Sequence, residues 1–283
     1  MIDKMDECKW LTTSLFCEKK HWSKIISEVI PDFLNTSLNK EIHEIQIYLQ
    51  FNYLGGENIR LAFFSNFENV NDSAKQLDAF FKNFLSKLLI PKNTHELPIN
   101  GFFIPFPQNT IQYGLYSPIV NKNLEFVISQ TIIDALFDEF VDDECILTLT
   151  LYLTLGTMKV AISSNVLTKD ECSTFYRNEF LKKNDLNEID YFELKFINSE
   201  VLISEIVNDI FDPSLNNSPK WLTNWMLAYN LKIDLAKDEK VINPTFFYTD
   251  TVALIYRHLG ITERMRLILS YFLSEICKLE SVN

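Results

Sequence analysis

Glycine is scarce in this 283-residue chain, which contains only 6. At the average usage of ~7%, a chain of this length would contain roughly 20. Loops that cradle phosphates need several glycines at fixed offsets, and the one adjacent pair, Gly55-Gly56, is typical of a hairpin turn. We therefore expect no P-loop, Rossmann or kinase-type nucleotide site.

Cationic residues are also in the minority. Lys and Arg number 26 against 38 Asp and Glu, which gives a formal net charge of −12. A protein that binds a nucleic-acid backbone needs a basic stripe, so we expect no nucleic-acid partner. The 5 cysteines form no C-x-x-C pair, and the 4 histidines lack metal-ligand spacing. We therefore expect no metal site, and reduced thiols in a cytoplasmic protein.

One apolar run, residues 145–163, approaches membrane length. Its four threonines, Tyr152 and Lys159 favour a buried core segment, so we expect no membrane partner. Residues 1–9 are charged and precede no long apolar run, which predicts no secretory signal. Leucine and threonine alternate inside residues 145–163 as in a strand, but the length also suits a buried helix, and periodicity alone does not decide.

Strict alternation predicts strands near the N-terminus. Residues 9–17 have the mixed apolar and Thr/Ser content of a strand, and residues 43–53 alternate cleanly. The second run forms a predicted hairpin with residues 59–63 across Gly55-Gly56. Its other face is polar, so we expect a strand that is buried on one side only.

Helical spacing dominates the remainder of the chain. Ser73 is a candidate N-cap, and Thr168 with Glu171 fits a capping box. No composition break marks a linker, so we predict one α+β domain over residues 1–283. Helices are expected over residues 20–34, 77–88, 123–140, 199–211, 219–230, 247–258 and 262–279.

Three local features suggest more than packing. Arg60 lies on the polar face of an otherwise apolar hairpin strand, where it is either a solvated charge or an anchor for an anion or carbonyl. Residues 112–117 place two Tyr and a Ser around a scarce glycine, in what we expect to be a loop. Arg257 and His258 precede Gly260 near a helix end, where they either complement the helix dipole or belong to a site.

In this order and spacing, these features resemble the thiopeptide-type bacteriocin biosynthesis domain. That domain is also the glutamate-eliminating domain of class I lantibiotic dehydratases. The resemblance implies the fold of that elimination domain, with an N-terminal hairpin and a mainly helical remainder. It also implies that residues 142–163 form a buried helix. Five stretches carry the resemblance, and together they span nearly the whole chain: residues 10–16, 46–63, 106–116, 126–129 and 251–261.

The departures from the family pattern concern the elimination chemistry. Asn58 and Ala62 stand where the family has His and a second Arg, and Gln112 replaces another Arg. The family's C-terminal His positions fall near residues 252–254, which are apolar, while Arg257 is kept. Elimination needs a base and cationic groups for the leaving carboxylate, so this activity is in doubt.

The pyridine synthase branch of the family fits such losses. Those enzymes join two dehydroalanines of a modified precursor peptide by a formal aza-[4+2] cycloaddition, then expel water and the leader peptide, with no cofactor implied. The resemblance makes a peptide with a leader and an azole- and dehydroalanine-containing core the expected partner, with other enzymes of the same biosynthetic cluster as further partners. Two alternatives stay open: the elimination subunit of a split dehydratase, and a non-catalytic partner that binds the leader peptide.

The resemblance also suggests which residues act. Expected catalytic residues are Tyr113, Tyr116, Ser129 and Arg257, with the tyrosines assisting proton transfer and the other two holding the iminol or the departing amide. Expected substrate-binding residues are Arg60, Asn58, Gln112, Ser117 and His258.

Overall fold

The protein is described as a computed structural model that covers residues 9–36, 45–65, 70–88, 106–116, 122–137, 139–183, 188–211, 218–238 and 243–279. Its contacts divide the chain into two compact units, Met1–Asp142 and Asp143–Asn283. The α+β fold class, with N-terminal antiparallel strands and a mainly helical remainder, is confirmed. The assignment of residues 1–283 to one thiopeptide-type domain stays a prediction.

The first unit contains an antiparallel sheet with the strand order β2-β3-β1-β4. The predicted hairpin is confirmed, and Gly55 and Gly56 make its turn with positive φ angles of 78° and 114°. The fourth strand was not predicted, because it is short and lies in a segment rich in proline and aromatic residues. The strands are β1 (Lys9–Phe16), β2 (Gln46–Asn52), β3 (Asn58–Ser65) and β4 (Thr110–Tyr113).

Helices cover one face of this sheet with aromatic side chains. Trp22 stacks on Phe51 at 4.7 Å between ring centroids, and Phe33 meets Phe63 edge-on at 5.2 Å. The predicted helix over residues 20–34 is confirmed, with a π turn at Ile25–Val29 between α1 and α2. The helices of this unit are α1 (Trp22–Lys24), α2 (Ile30–Thr36), α3 (Val70–Ser86) and α4 (Lys122–Leu136).

Helix boundaries differ from the prediction at two places in this unit. Ser73 is not an N-cap, because α3 begins three residues earlier, at Val70. Helix α4 ends at Leu136 rather than near residue 140. The predicted loop over residues 92–98 and the irregular stretch 101–105 lie outside the described residues.

The second unit is built around α5 (Asp143–Ser163), which confirms the helix expected for this segment. Twelve of its residues are buried, and it packs against the helices at Glu200–Phe211, Lys220–Asp238, Pro244–His258 and Glu263–Ile276. Among the described ranges it is the helix that is long and apolar enough to cross a membrane, and 67% of its most apolar window is buried inside the protein. A leucine–threonine alternation is compatible with a helix that is buried all round, because every face then needs small or apolar side chains.

The other helices of the second unit pack on α5 or on one another. The capping box is confirmed, since the Thr168 amide donates to the Glu171 carboxylate at 2.7 Å and the Glu171 amide donates to the Thr168 hydroxyl at 3.2 Å. Helix α7 was not predicted. The helices are α6 (Lys169–Lys183), α7 (Ile189–Asn198), α8 (Glu200–Phe211), α9 (Lys220–Asp238), α10 (Pro244–His258) and α11 (Glu263–Ile276).

Candidate functional site

A row of polar residues crosses all four strands of the sheet. Gln50 pairs with Arg60, Arg60 with Ser14, and Ser14 with Gln112, in the order of the strands. Side chains at paired positions point to the same face, so these four residues share the face opposite the apolar helices. The strand β2 was expected to be buried on one side only, but Gln50 is 5% exposed and Tyr48 is fully buried. The polar row therefore lies on a largely buried surface.

Arg60 is the charged group of this row. Its Nε donates to the Asn58 Oδ1 at 3.2 Å, and its Nη1 lies 3.5 Å from the carbonyl oxygen of Leu115. Burial lowers the pKa of Arg60, and the electrostatic interaction with the neighbouring Tyr116 counteracts this effect. Within the described residues of the first unit, both hydrogen-bond acceptors are neutral, so the guanidinium keeps the capacity to bind an anion or a polarised carbonyl.

Asn58 holds Arg60 in place. Its amide nitrogen donates to the Gly56 and Leu54 carbonyls at 2.8 and 3.3 Å, which leaves its oxygen to accept from Arg60. The side chain is fully buried at the end of the hairpin turn. These hydrogen bonds show that Asn58 orients the Arg60 fork, and its predicted contact with substrate stays a prediction.

Ser14 was missed by the sequence analysis. Its side chain is completely buried, and its hydroxyl has no hydrogen-bond partner among the described residues. Because a buried hydroxyl without a partner is costly, such a group next to Arg60 and Gln112 suggests a place where substrate binds. The available signal was the alternation of Thr12 and Ser14 on one face of β1.

Tyr116 belongs to an aromatic cluster on the same face. It packs with Tyr48, Ala62 and Phe64, and the rings of Trp10 and Phe126 close the cluster. The side chain is 5% exposed. The structure therefore places Tyr116 close to Arg60 and adds an apolar wall beside the polar row.

Tyr113 lies on the opposite face of the sheet. It pairs with Thr13, one residue from Ser14, and its hydroxyl makes a short hydrogen bond to the Asp78 carboxylate on α3. Burial and the bond to Asp78 raise the pKa of Tyr113. Arg60 and Tyr113 are thus separated by the sheet. The proton-transfer role of Tyr113 stays a prediction, and so does that of Tyr116.

Ser129 is fully buried on α4 and contacts β2, the strand at one end of the order β2-β3-β1-β4. Its hydroxyl oxygen accepts from the Leu49 amide at 3.0 Å and donates to the Glu125 carbonyl at 2.9 Å. Gln130 on the same helix donates to the Ile47 carbonyl at 3.3 Å. These bonds attach α4 to the edge strand, so the structure assigns Ser129 a positioning contact, while its catalytic role stays a prediction. Glu125, which was not singled out from the sequence, is also fully buried.

The remaining predicted residues are in other places. Arg257 and His258 lie in the last turn of α10 in the second unit, where Arg257 is exposed and His258 is fully buried. Gly260 ends the helix as expected, with a φ of 65° and a bond from the Ile261 amide to the Tyr256 carbonyl at 2.9 Å. Ser117 lies outside the described residues.

The site contains hydrogen-bond donors and aromatic walls rather than metal ligands. Among the residues that the structure describes, no three His, Cys, Asp or Glu side chains converge. The polar row offers a guanidinium, a hydroxyl and two amides. Groups of these kinds can orient a peptide and polarise its carbonyls.

Comparisons with known proteins give the fold its context. No protein-family model matches the chain, and no curated protein does. Among solved structures, a pyridine synthase, TbtD, from thiomuracin biosynthesis is similar with a TM-score of 0.65 and 12% identity, over 94% of this chain and 97% of that one. The crystal structure of TsrL is similar with a TM-score of 0.63 and 10% identity, over 97% of each chain. The chain therefore has the fold of these two proteins along nearly its whole length.

Proposed function

We propose that this protein is a macrocyclising pyridine synthase of thiopeptide biosynthesis. The observation that carries the proposal is the end-to-end structural similarity to a protein described as a pyridine synthase. The polar row adds support, because it supplies hydrogen-bond donors and contains no carboxylate or imidazole. The enzyme is proposed to be cytoplasmic, to need no cofactor, and to act on a leader-bearing precursor peptide.

The proposed reaction depends chiefly on orientation. Two dehydroalanines react, one as its iminol tautomer, and two ring bonds form. Loss of water and of the leader amide then yields the pyridine. Bringing two distant segments of one peptide together removes a large entropic barrier, worth up to about 7–11 kcal/mol in well-oriented reactions. A rigid sheet face is suited to this task because its side chains are fixed by strand pairing.

Arg60 is the central residue of the proposed site. Its fork, oriented by Asn58, would bind the oxygen of the amide that becomes the iminol, and a half-buried guanidinium stabilises charge on that oxygen better than an exposed one does. Ser14 and Gln112 would contact the same peptide segment, and Tyr116 would pack against its side chains. Arg257 and His258 stay proposed contacts of the departing leader amide.

Mass spectrometry of the purified protein with a leader-bearing, azole-containing peptide that carries two dehydroalanines tests the proposal. We expect loss of water and of the whole leader, with a cyclised core as product. Conversion only of a glutamylated serine peptide to dehydroalanine would instead indicate the elimination subunit. No change in either peptide, with both substrates validated by a known enzyme, would favour a leader-binding partner.

Variants of the polar row test the site within the same assay. Arg60→Met is expected to lower kcat/KM by about 10-fold to 150-fold, the equivalent of a charged hydrogen bond worth about 1.5–3 kcal/mol. Ser14→Ala removes a hydroxyl that has no partner among the described residues, so we expect slower turnover with unchanged stability. Arg177→Met, an exposed arginine on α6, is the matched control. Equal activity of the Arg60 variant and this control would refute the assignment.

A further inference from the structure

The second unit contains a cavity that the proposed reaction does not use. Helices α6, α10 and α11 line a partly open cavity of about 290 Å³. Its walls include the ring of Phe175 and the side chains of Val252 and Ala253. Small-molecule sites start at roughly 300 Å³, so the cavity has the size for one amino-acid residue.

One residue that lines this cavity, Tyr256, has a buried hydroxyl without a partner among the described residues. Tyr256 is 5% exposed, and its hydroxyl oxygen makes no hydrogen bond among the described residues. Burial raises the pKa of Tyr256, so the hydroxyl stays a neutral donor. The neighbouring Tyr176 and Tyr248 form a hydrogen bond between their hydroxyls. Unlike the Tyr256 hydroxyl, each of these two buried hydroxyls therefore has a partner.

A second donor lies beside it. The guanidinium of Arg266 lies 5.5 Å from the centre of the Tyr256 ring, and its Nε is buried without a hydrogen-bond partner in the described part of the chain. Both residues line the same cavity. Two donors without acceptors at one place call for a ligand that carries an acceptor oxygen.

The charges around the cavity select a neutral ligand. Glu179 and Asp250 also line it beside Arg266, and Glu179 is paired with Lys182 at 3.3 Å, so these four charges sum to zero. A free carboxylate would add an uncompensated charge to this balanced set, whereas an amide brings a carbonyl for the donors and an N–H for the carboxylates.

We infer that this cavity binds one residue of a peptide, with its backbone carbonyl on Tyr256 and Arg266 and its apolar side chain against Phe175. That the residue belongs to a thiopeptide precursor rests on the function proposed above. The binding itself does not, because it can be measured without turnover.

A titration with N-acetyl-phenylalanine amide tests the inference. The neutral probe is expected to shift the NMR signals of the Val252 and Ala253 methyl groups, and to bind more tightly than the anionic N-acetyl-phenylalanine. Arg266→Met should weaken binding about tenfold or more, and Tyr256→Phe about threefold to tenfold. Arg264→Met is the matched control, since Arg264 is an exposed arginine of the same helix that lies over the Tyr191 ring instead.

Several results would overturn the inference. These are methyl signals that do not move, tighter binding of the anionic probe, and equal affinity of the Arg266 variant and the Arg264 control. Tyr256→Phe keeps the ring and removes a hydroxyl that has no hydrogen-bond partner among the described residues, so we expect it to stay folded even if the arginine variant does not. Binding of the probe by a protein that fails to cyclise peptide would separate this inference from the proposed reaction.

Discussion

The contact between Ser129 and the edge of β2 makes a quantitative prediction. In Ser129→Ala, the buried Leu49 amide loses the hydroxyl that accepts from it at 3.0 Å. Removing one partner of a buried hydrogen bond costs about 1–3 kcal/mol. We therefore expect the free energy of unfolding to fall by that amount, with a Tm lower by several degrees in a protein of this size.

Helix α4 offers a matched control for this substitution. Thr131 is also buried, and its hydroxyl donates only to the Val127 carbonyl one turn earlier, at 2.8 Å. Ser129 makes an equivalent bond to Glu125, so the two residues differ in the contact with Leu49. Thr131→Val should therefore cost about 1 kcal/mol or less.

Hydrogen exchange measured residue by residue is the decisive assay. The Leu49 amide should exchange faster in Ser129→Ala than in wild type, and its exchange rate should be unchanged in Thr131→Val. Equal exchange and equal urea midpoints in both variants would refute the structural role. If turnover per folded molecule also fell in Ser129→Ala while stability did not, the predicted catalytic role would be supported instead.

Two further predictions concern tyrosine hydroxyls. Tyr176→Phe should lower stability by about 1–3 kcal/mol, because it strands the Tyr248 hydroxyl in a fully buried core, and thermal unfolding with Tyr256→Phe as comparison checks it. Burial raises the pKa of Asp78, but hydrogen bonds from Lys82 and Tyr113 outweigh this effect and lower it. The hydrogen bond from Tyr113 to Asp78 therefore stabilises the fold above the ordinary carboxyl pKa of about 3.9, and this stabilisation is lost as the pH falls through the lowered value. The stability difference between wild type and Tyr113→Phe should therefore be present at pH 7 and vanish at strongly acidic pH. A difference that persists there would contradict this account.

The sequence determined the features that depend on near neighbours. Alternation in residues 43–53 and the Gly55-Gly56 turn correctly predicted the hairpin, because strand periodicity and turn chemistry are local. The capping box at Thr168 and the helix end at Gly260 were correct for the same reason. Arg60 stood out as a charge on an apolar strand, and the structure places it in the middle of the polar row.

The tertiary structure decided which polar residues are buried and which of them meet. A polar face looks the same in sequence whether it is exposed or covered, so Gln50 and Ser14 were not expected in the protein interior. Strand β4 depends on pairing with β1, almost a hundred residues earlier, and that pairing puts Gln112 beside Ser14 while it turns Tyr113 toward α3. Periodicity within one segment contains no information about such a partner. Burial and long-range pairing are properties of the packed chain, and they determine the chemistry of the site.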